Sequence, residues 1–374
     1  MIPVFRPLIE QEELTANTEA LKMGWLGMGS YVQNFEQAIK DYTQAENRYV
    51  AAVGTGHAAL HLGLLIAGVK PGDEVITPSF NNIADLQAIL AVGGIPVFCD
   101  IDNDTLCIDL DKAEQLISPK TKVMIVMDYD CLLCDHDRVA QIADKYKIRI
   151  LHDAAHSFGS KYKGKMIGSF SDICMFSFDP VKTITCIDGG ALIVKTEDEL
   201  YKIHELRLIG MGQPATLMYQ NKRAWTYDVK EIGYRYHMAN LHGAMGLAQI
   251  AKMTKISSTR KQSCIYYNQE LGNIPQVSVP KTDFTDITPF LYYIRVPEVD
   301  RDDLRTYMYE QGVDTGIHWQ PGHWFTLFKD SKRGDLSITD TVGKEVLSLP
   351  LHSCMRQEDQ KMVIRTIKDF FSKK

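Results

Sequence analysis

Cys174-Met-Phe-Ser177-Phe-Asp-Pro-Val-Lys182-Thr-Ile-Thr-Cys-Ile-Asp-Gly189-Gly190 decides how this chain is read. An apolar run ends in hydroxyl and acidic residues and a lysine, then a Gly-Gly pair opens a second apolar run. A lysine among apolar and hydroxyl residues at the end of a predicted strand is poorly placed for a solvated charge. Desolvation there disfavours the ammonium form and leaves a nucleophilic amine. Upstream, Leu151-His-Asp153-Ala-Ala-His156 sets a carboxylate at the end of another apolar run.

Working outward, short apolar and β-branched runs at 48–53, 74–78, 95–100, 122–128, 148–153, 172–178 and 190–194 alternate with segments of helical spacing such as 58–67 and 83–92. Such alternation predicts an α/β fold: a mostly parallel seven-stranded sheet flanked by helices. Its ligands bind outside the carboxyl ends of the strands, where Gly54–His57, Asp153 and Ser177–Lys182 fall. From about residue 251 the pattern changes. A long helix over 241–271 leads to a Pro-rich stretch, a strand at 290–296, a helix from Asp302, a segment at 313–319 and a terminal helix from Gln357. We therefore expect a large domain over 1–250 and a smaller C-terminal α+β domain over 251–374.

The 374 residues carry 45% hydrophobic and 24% charged residues and a net charge of −6, which suits a soluble enzyme and argues against nucleic acid or an anionic membrane as partner. No stretch approaches the ~20 apolar residues of a membrane span. No signal peptide is visible at Met1-Ile-Pro-Val-Phe-Arg6, so a cytoplasmic location is expected. Cys131-Leu-Leu-Cys134 has CxxC spacing without a second pair to complete a zinc site, so no metal is expected and the thiols are read as reduced.

An aspartate and a strand-end lysine are the pair that pyridoxal 5′-phosphate (PLP) requires: a partner for the pyridinium nitrogen and an imine former. Gly54-Thr-Gly56-His57-Ala58-Ala59 follows a strand and opens a helix, an anion site by its free amides and helix dipole. It also matches the dinucleotide fingerprint, but the acidic residue expected at the end of the second strand is missing. Ser177 could donate to a phosphate from the opposite side. His156 could contact the cofactor or bond within the core. Asp153 could instead cap a helix over 154–158. Lys161, Lys163 and Lys165 read as a solvated hairpin.

Together these segments resemble the DegT/StrS-type nucleotide-sugar aminotransferases, PLP enzymes of fold type I. The likeness runs through Gly24-Trp-Leu-Gly-Met-Gly29-Ser-Tyr-Val32, Pro71-Gly-Asp-Glu-Val-Ile-Thr-Pro78-Ser-Phe80, Pro96-Val-Phe-Cys-Asp100-Ile-Asp102, Asp153-Ala-Ala-His156 and Ser177-Phe-x-x-x-Lys182. It continues in Gly233-Tyr-Arg-Tyr-His-Met238, Gly316-Ile-His318-Trp and Leu347-Ser-Leu-Pro350-Leu. The resemblance implies Lys182 as the imine lysine, Asp153 at the ring nitrogen, and phosphate contacts from Gly56, His57, Ala58 and Ser177. It also implies a homodimer with shared active sites, in which the loop carrying Arg235 reaches the other subunit's phosphate. L-glutamate would be the amino donor and a nucleotide-linked keto-sugar the acceptor, bound near His318, Trp319 and His323. The cofactor would shuttle between PLP and its amine form (PMP). Five positions depart from the family pattern: His57 for Thr or Ser, Asn82 for a stacking aromatic, Arg235 with His237 for Asn with Arg, and Cys131 for Gly.

Other readings are a PLP-dependent sugar dehydratase, which the presence of Lys182 opposes, a transaminase for a small phosphorylated ketone, a nicotinamide dehydrogenase, and a silent ligand sensor.

Overall fold

The computed structural model describes residues 1–212 and 215–373. All seven apolar runs form strands: Tyr49–Val53, Glu74–Pro78, Ile95–Cys99, Thr121–Met127, Arg149–Asp153, Ile173–Ser177 and Gly190–Val194. Glu74–Pro78, Ile173–Ser177 and Gly190–Val194 are buried along their whole length, as strands covered on both faces must be. Across the sheet the order is Tyr49–Val53, Gly190–Val194, Ile173–Ser177, Arg149–Asp153, Thr121–Met127, Glu74–Pro78, Ile95–Cys99. Gly190–Val194 runs antiparallel to both its neighbours; the remaining pairs are parallel.

Three details differ from the sequence reading. The sheet has eight strands, because Lys332–Arg333 joins its edge beside Ile95–Cys99. That strand is two exposed basic residues long and is anchored by Lys332 Nζ on Glu74 at 2.9 Å, so no apolar pattern announces it. The helix over 241–271 is two helices, Asn240–Ala251 and Met253–Leu271, meeting at Lys252, whose ammonium is drawn onto Glu10 and Glu13. Residues 313–319 form no strand of their own. The small C-terminal sheet pairs Tyr292–Arg295 with Val346–Leu349, and 313–319 contributes single bridges through Val313 and Gly316.

One apolar core runs from Ile76, Val97 and Met124 of the large sheet to Tyr292, Leu347 and Val363, so the C-terminal elements are packed directly on the sheet that carries the strand ends. Helices Gln11–Met23 and Ser30–Tyr42 pack on Asn240–Ala251. No helix among the described residues is long and apolar enough to cross a membrane.

Candidate active site

Asp153 and Ser177 are the last residues of their strands, and the strand Tyr49–Val53 runs through Gly54 into the helix Gly56–Ile66. These termini converge on a cavity of about 460 Å³ lined among others by Gly56, His57, Asn82, Asp153, His156, Ser177, Lys182, His318 and Trp319. The sequence thus brings nine of its named positions to one place.

The first amides of a helix have no intrahelical acceptor. Thr55 Oγ1 takes that of Ala58 at 2.9 Å, leaving the Gly56–His57 end turned to the cavity. Ala58 itself does not line it. Glycine is required at 56 by close approach: a Cβ there would lie 2.7 Å from Ser177 Oγ. Gly190, paired with Ser177, is tighter still, its Cβ falling 2.5 Å from Thr55 O. Tyr49–Val53 is the sheet's edge strand and pairs only antiparallel, whereas a dinucleotide fold carries its glycine turn on a central parallel strand. The dinucleotide reading of Gly54–Ala59 therefore fails on topology.

Asp153 is 3% exposed, and its Oδ1 accepts from Ala155 N–H at 2.9 Å. That bond closes a turn, since 154–158 forms no helix. Lys182 stands on a turn beyond the strand rather than at its end: its amide bonds Asp179 O at 3.0 Å, and Asp179 Oδ1 accepts from Val181 N–H. Its Nζ lies over the Phe290 ring, 4.3 Å from the centroid. Burial holds the amine's pKa below the ordinary lysine value, against the opposing pull of Asp153, Asp179, Asp130 and Asp85.

His156 accepts from Asp130 N–H through Nδ1 at 3.2 Å and packs on Phe290 at 4.4 Å and Trp319 at 5.8 Å. Burial, with Lys182 adding to it, keeps the ring neutral. His318 bonds Ser348 Oγ at 2.9 Å, and burial lowers its pKa to about 4. The Trp319 indole N–H is buried with no acceptor among the described residues. Asn82 caps the helix Ile83–Ala91, accepting from Ala84 N–H at 2.8 Å.

Two named residues lie elsewhere. His323 is held between Ser79 Oγ (2.8 Å) and Asp340 Oδ1 (3.0 Å), so both ring nitrogens are occupied outside the cavity. Arg235 is exposed in a separate groove with Trp25, Met28, Ile209, Arg223 and Trp225.

Sequence reasoning missed Phe5, Phe290, Asp179 and Asp188, which also line the cavity. It missed the buried acids Asp85 and Asp130 as well, whose apolar neighbours in the sequence were the available signal. Behind the site, Asp128 accepts from His136 (3.0 Å), His152 (2.7 Å) and Ser157 (2.7 Å), a buried group with the spacing of metal ligands. The cysteines are free; burial raises the thiol pKa of Cys131 and Cys134 alike, as inert structural thiols require. A second cavity, about 600 Å³, opens at the Arg149 end of the strand Arg149–Asp153, where Arg149 pairs with Asp172 and Glu199.

The cavity at the strand ends thus brings together the helix start at Gly56 and His57, Ser177, the buried carboxylate of Asp153 and a lysine amine whose pKa burial lowers. The model of the DegT/DnrJ/EryC1/StrS aminotransferase family matches residues 7–368. The spore coat polysaccharide biosynthesis protein SpsC of Bacillus subtilis is 32% identical, over 98% of this chain and 96% of its own. Among solved structures, the aminotransferase TlmJ from Streptoalloteichus hindustanus superposes with a TM-score of 0.92 at 27% identity, covering 100% of this chain and 99% of that one. The PMP form of the putative sugar aminotransferase Spr1654 from Streptococcus pneumoniae does so with a TM-score of 0.90 at 28% identity, covering 100% of both. The chain is a PLP-dependent aminotransferase and belongs to the DegT/DnrJ/EryC1/StrS family.

Proposed function

We propose that the enzyme transfers an amino group from L-glutamate to a keto carbon of a nucleotide-linked deoxysugar, and that it does so as a homodimer. The observation that carries the reading is one cavity lined by Lys182, by Asp153 and by the start of the helix Gly56–Ile66, with Lys182 Nζ over the Phe290 ring. Likeness to relatives named for polysaccharide biosynthesis and for a sugar aminotransferase supports the substrate class.

The residues fit PLP by the chemistry of their donors. The Gly56–His57 amides and Ser177 would hold its phosphate, brought close together because Gly56 has no Cβ to push Ser177 away. Asp153 would pair with the ring nitrogen, and Lys182 would carry the attachment. When bound, PLP supplies a ring that accepts the electron pair left at a substrate carbon.

The protein supplies the remainder. Asp153 keeps a proton on the ring nitrogen by its buried negative charge. Once displaced by the donor, the neutral Lys182 amine would move the proton from the donor's α-carbon to the cofactor carbon to which the lysine had been joined. In the second half-reaction it would carry a proton from that same cofactor carbon to the acceptor carbon. The Phe290 ring over Nζ excludes water from that transfer. Neutral His156, wedged against Phe290 and Trp319, fixes the wall beside it. Phe5, His318 and Trp319 form an aromatic rim suited to a sugar face, and the unpartnered Trp319 N–H suits a sugar hydroxyl.

The dimer reading rests on exposed apolar residues around the Arg235 groove, Trp225 at 90% and Ile232 at 82%. Arg235 of the partner subunit would then complete the phosphate site with a bidentate fork.

The deciding experiment loads the enzyme with PMP and offers keto-sugars on several nucleotide carriers beside small keto-phosphates. Return of the PLP spectrum only with nucleotide-linked keto-sugars supports the reading. Return with small keto-phosphates alone overturns it.

A further inference from the structure

Arg260 lies in the helix Met253–Leu271 and is 2% exposed, yet no carboxylate among the described residues pairs with it. Burial pulls its pKa down to about 10, so it is still a cation at neutral pH. A charge taken out of water needs compensation, and here oxygens of two chain segments provide it. Arg260 donates to the carbonyls of Phe290 at 2.9 Å, Leu351 at 3.3 Å and Pro289 at 3.5 Å, and to Ser353 Oγ at 3.2 Å. Pro289 and Phe290 lead into the strand Tyr292–Arg295, and Leu351 and Ser353 follow the strand Val346–Leu349. In that antiparallel pair Tyr292 faces Leu349, so both segments leave the small sheet at one end, where Arg260 ties them together. One of the tied residues roofs the reactive amine. The Phe290 ring stands 4.3 Å from Lys182 Nζ, packs on His156 at 4.4 Å and stacks on Phe5 at 5.8 Å. Phe5, Val181 and Phe290 all line the cavity with Lys182. The Phe290 amide reaches the Asp130 carbonyl only at 3.4 Å, which leaves the Arg260 bond as the firmer hold on this residue's main chain.

We propose that Arg260 is a positioning residue for the reactive amine: by holding the Phe290 carbonyl it keeps that ring over Lys182 Nζ and so limits the access of water. This rests on the reading of Lys182 as the amine that PLP joins. Arg260 does not line the cavity, so it acts through the ring and not on a ligand. The titratable groups that act on the amine are Asp153, Asp179, Asp130 and Asp85, with His156 and His318 on the other side of the balance. All six stay in place when Arg260 is replaced. A direct effect of the guanidinium charge on the amine would survive loss of the Phe290 ring, whereas an effect through the ring's position would not.

The test measures the protonation midpoint of Lys182 in the full-length, PLP-free chain, from the pH dependence of its labelling by acetic anhydride read by peptide mass spectrometry. Arg260→Met removes the donors; Arg260→Lys keeps a cation that reaches one carbonyl but not the set. With the ring freed and water admitted, the midpoint should rise by about half a pH unit in Arg260→Met, leaving roughly threefold less neutral amine at a given pH below it. Arg260→Lys should show a smaller rise, and it carries the test should Arg260→Met fail to fold. In a Phe290→Ala background neither substitution should move the midpoint further, as expected of two residues acting as one unit. Tyr267→Phe is the control for loosening alone. Its hydroxyl donates from the same helix to the Pro350 carbonyl at 3.0 Å and makes no hydrogen bond to Phe290. That variant should lose thermal stability and keep the wild-type midpoint. A midpoint equal to wild type in Arg260→Met, or in Arg260→Lys where only that variant folds, overturns the proposal. So does a rise of undiminished size in the Phe290→Ala background, or an equal rise in Tyr267→Phe. Borohydride reduction of the PLP-loaded enzyme, followed by peptide mapping, tests the underlying reading separately. PLP fixed to a lysine other than Lys182 strikes that reading, whatever the Arg260 variants show about the ring.

Discussion

Lys182 Nζ sits 4.3 Å from the centre of the Phe290 ring, so the reactive amine is roofed by an aromatic from the segment that opens the C-terminal sheet. That segment is itself clamped: the buried Arg260 donates to the carbonyl of Phe290 at 2.9 Å, and to those of Pro289 and Leu351. The lysine's environment is therefore set by the C-terminal part of the chain as much as by its own loop.

Two effects of the ring oppose each other. An ammonium over an aromatic face gains ~0.5–2 kcal/mol, whereas exclusion of water penalises the same ammonium. Burial is the leading cause of the lowered lysine pKa, so exclusion wins. In Phe290→Ala water enters, the amine's pKa rises, and less neutral amine is present at a given pH. The limb of the kcat/KM profile that reports this amine should move to higher pH, with about tenfold lower kcat/KM on its acid side, one pH unit being tenfold. An unmoved or lowered limb would show that the ring serves only as packing.

The Gly56–Ser177 approach gives a second expectation. A methyl at 56 meets Ser177 Oγ at 2.7 Å and its Cβ at 2.8 Å, so Gly56→Ala must push helix and strand apart at the anion end. Overpacking of this kind costs about 1–3 kcal/mol, and PLP should be released about tenfold more readily. Adding Ser177→Gly relieves the contact, so the double variant should regain the thermal stability that Gly56→Ala loses. A double variant less stable than both singles would refute steric conflict as the cause. Gly190→Ala should be worse than either, because its methyl meets the Thr55 carbonyl at 2.5 Å and backbone yields less than a side chain.

Residues whose placement follows from a local pattern were readable in advance; those defined by long-range encounters were not. Asp153 and Ser177 close apolar runs, and a parallel sheet brings such ends together wherever the runs stand in the chain; Lys182 follows on the turn just beyond Ser177. Phe290 reaches Lys182 across 108 residues of sequence (290 − 182), which no spacing rule encodes. His323 illustrates the opposite error: an aromatic neighbourhood in sequence suggested a substrate rim, yet Ser79 and Asp340 had already claimed both nitrogens. The eighth strand was hidden because two basic residues held by a salt bridge have no hydrophobic period.

Trp319 carries a prediction about the acceptor. Its buried indole N–H has no partner among the described residues, which leaves it free for a ligand oxygen. A hydrogen bond of this kind contributes ~1 kcal/mol net. Trp319→Phe should therefore raise KM for the keto acceptor about fivefold and leave KM for the amino donor unchanged. Equal effects on both substrates would place Trp319 in the wall and not at the acceptor.

The last prediction concerns acid stability. Asp128 is 1% exposed and receives hydrogen bonds from His136, His152, Ser157 and the Cys134 amide. Burial alone would raise its pKa, but the two histidines outweigh it and hold the folded-state value well below the ordinary carboxylate range. A depressed folded value means that Asp128 contributes stability above the unfolded carboxylate's pKa of ~3.9, and that this contribution disappears as pH falls through the folded value. Asp128→Asn removes the anion but leaves the histidine N–H donors buried with a weaker acceptor. At pH 7 this should cost about 3 kcal/mol, at the low end of what breaking a buried pair costs. Urea unfolding followed from pH 7 down to pH 3 should show the gap between wild type and variant narrowing below pH ~4, because the wild type loses there what the variant never had. A gap that stays constant across that range would assign the cost of the substitution to shape alone.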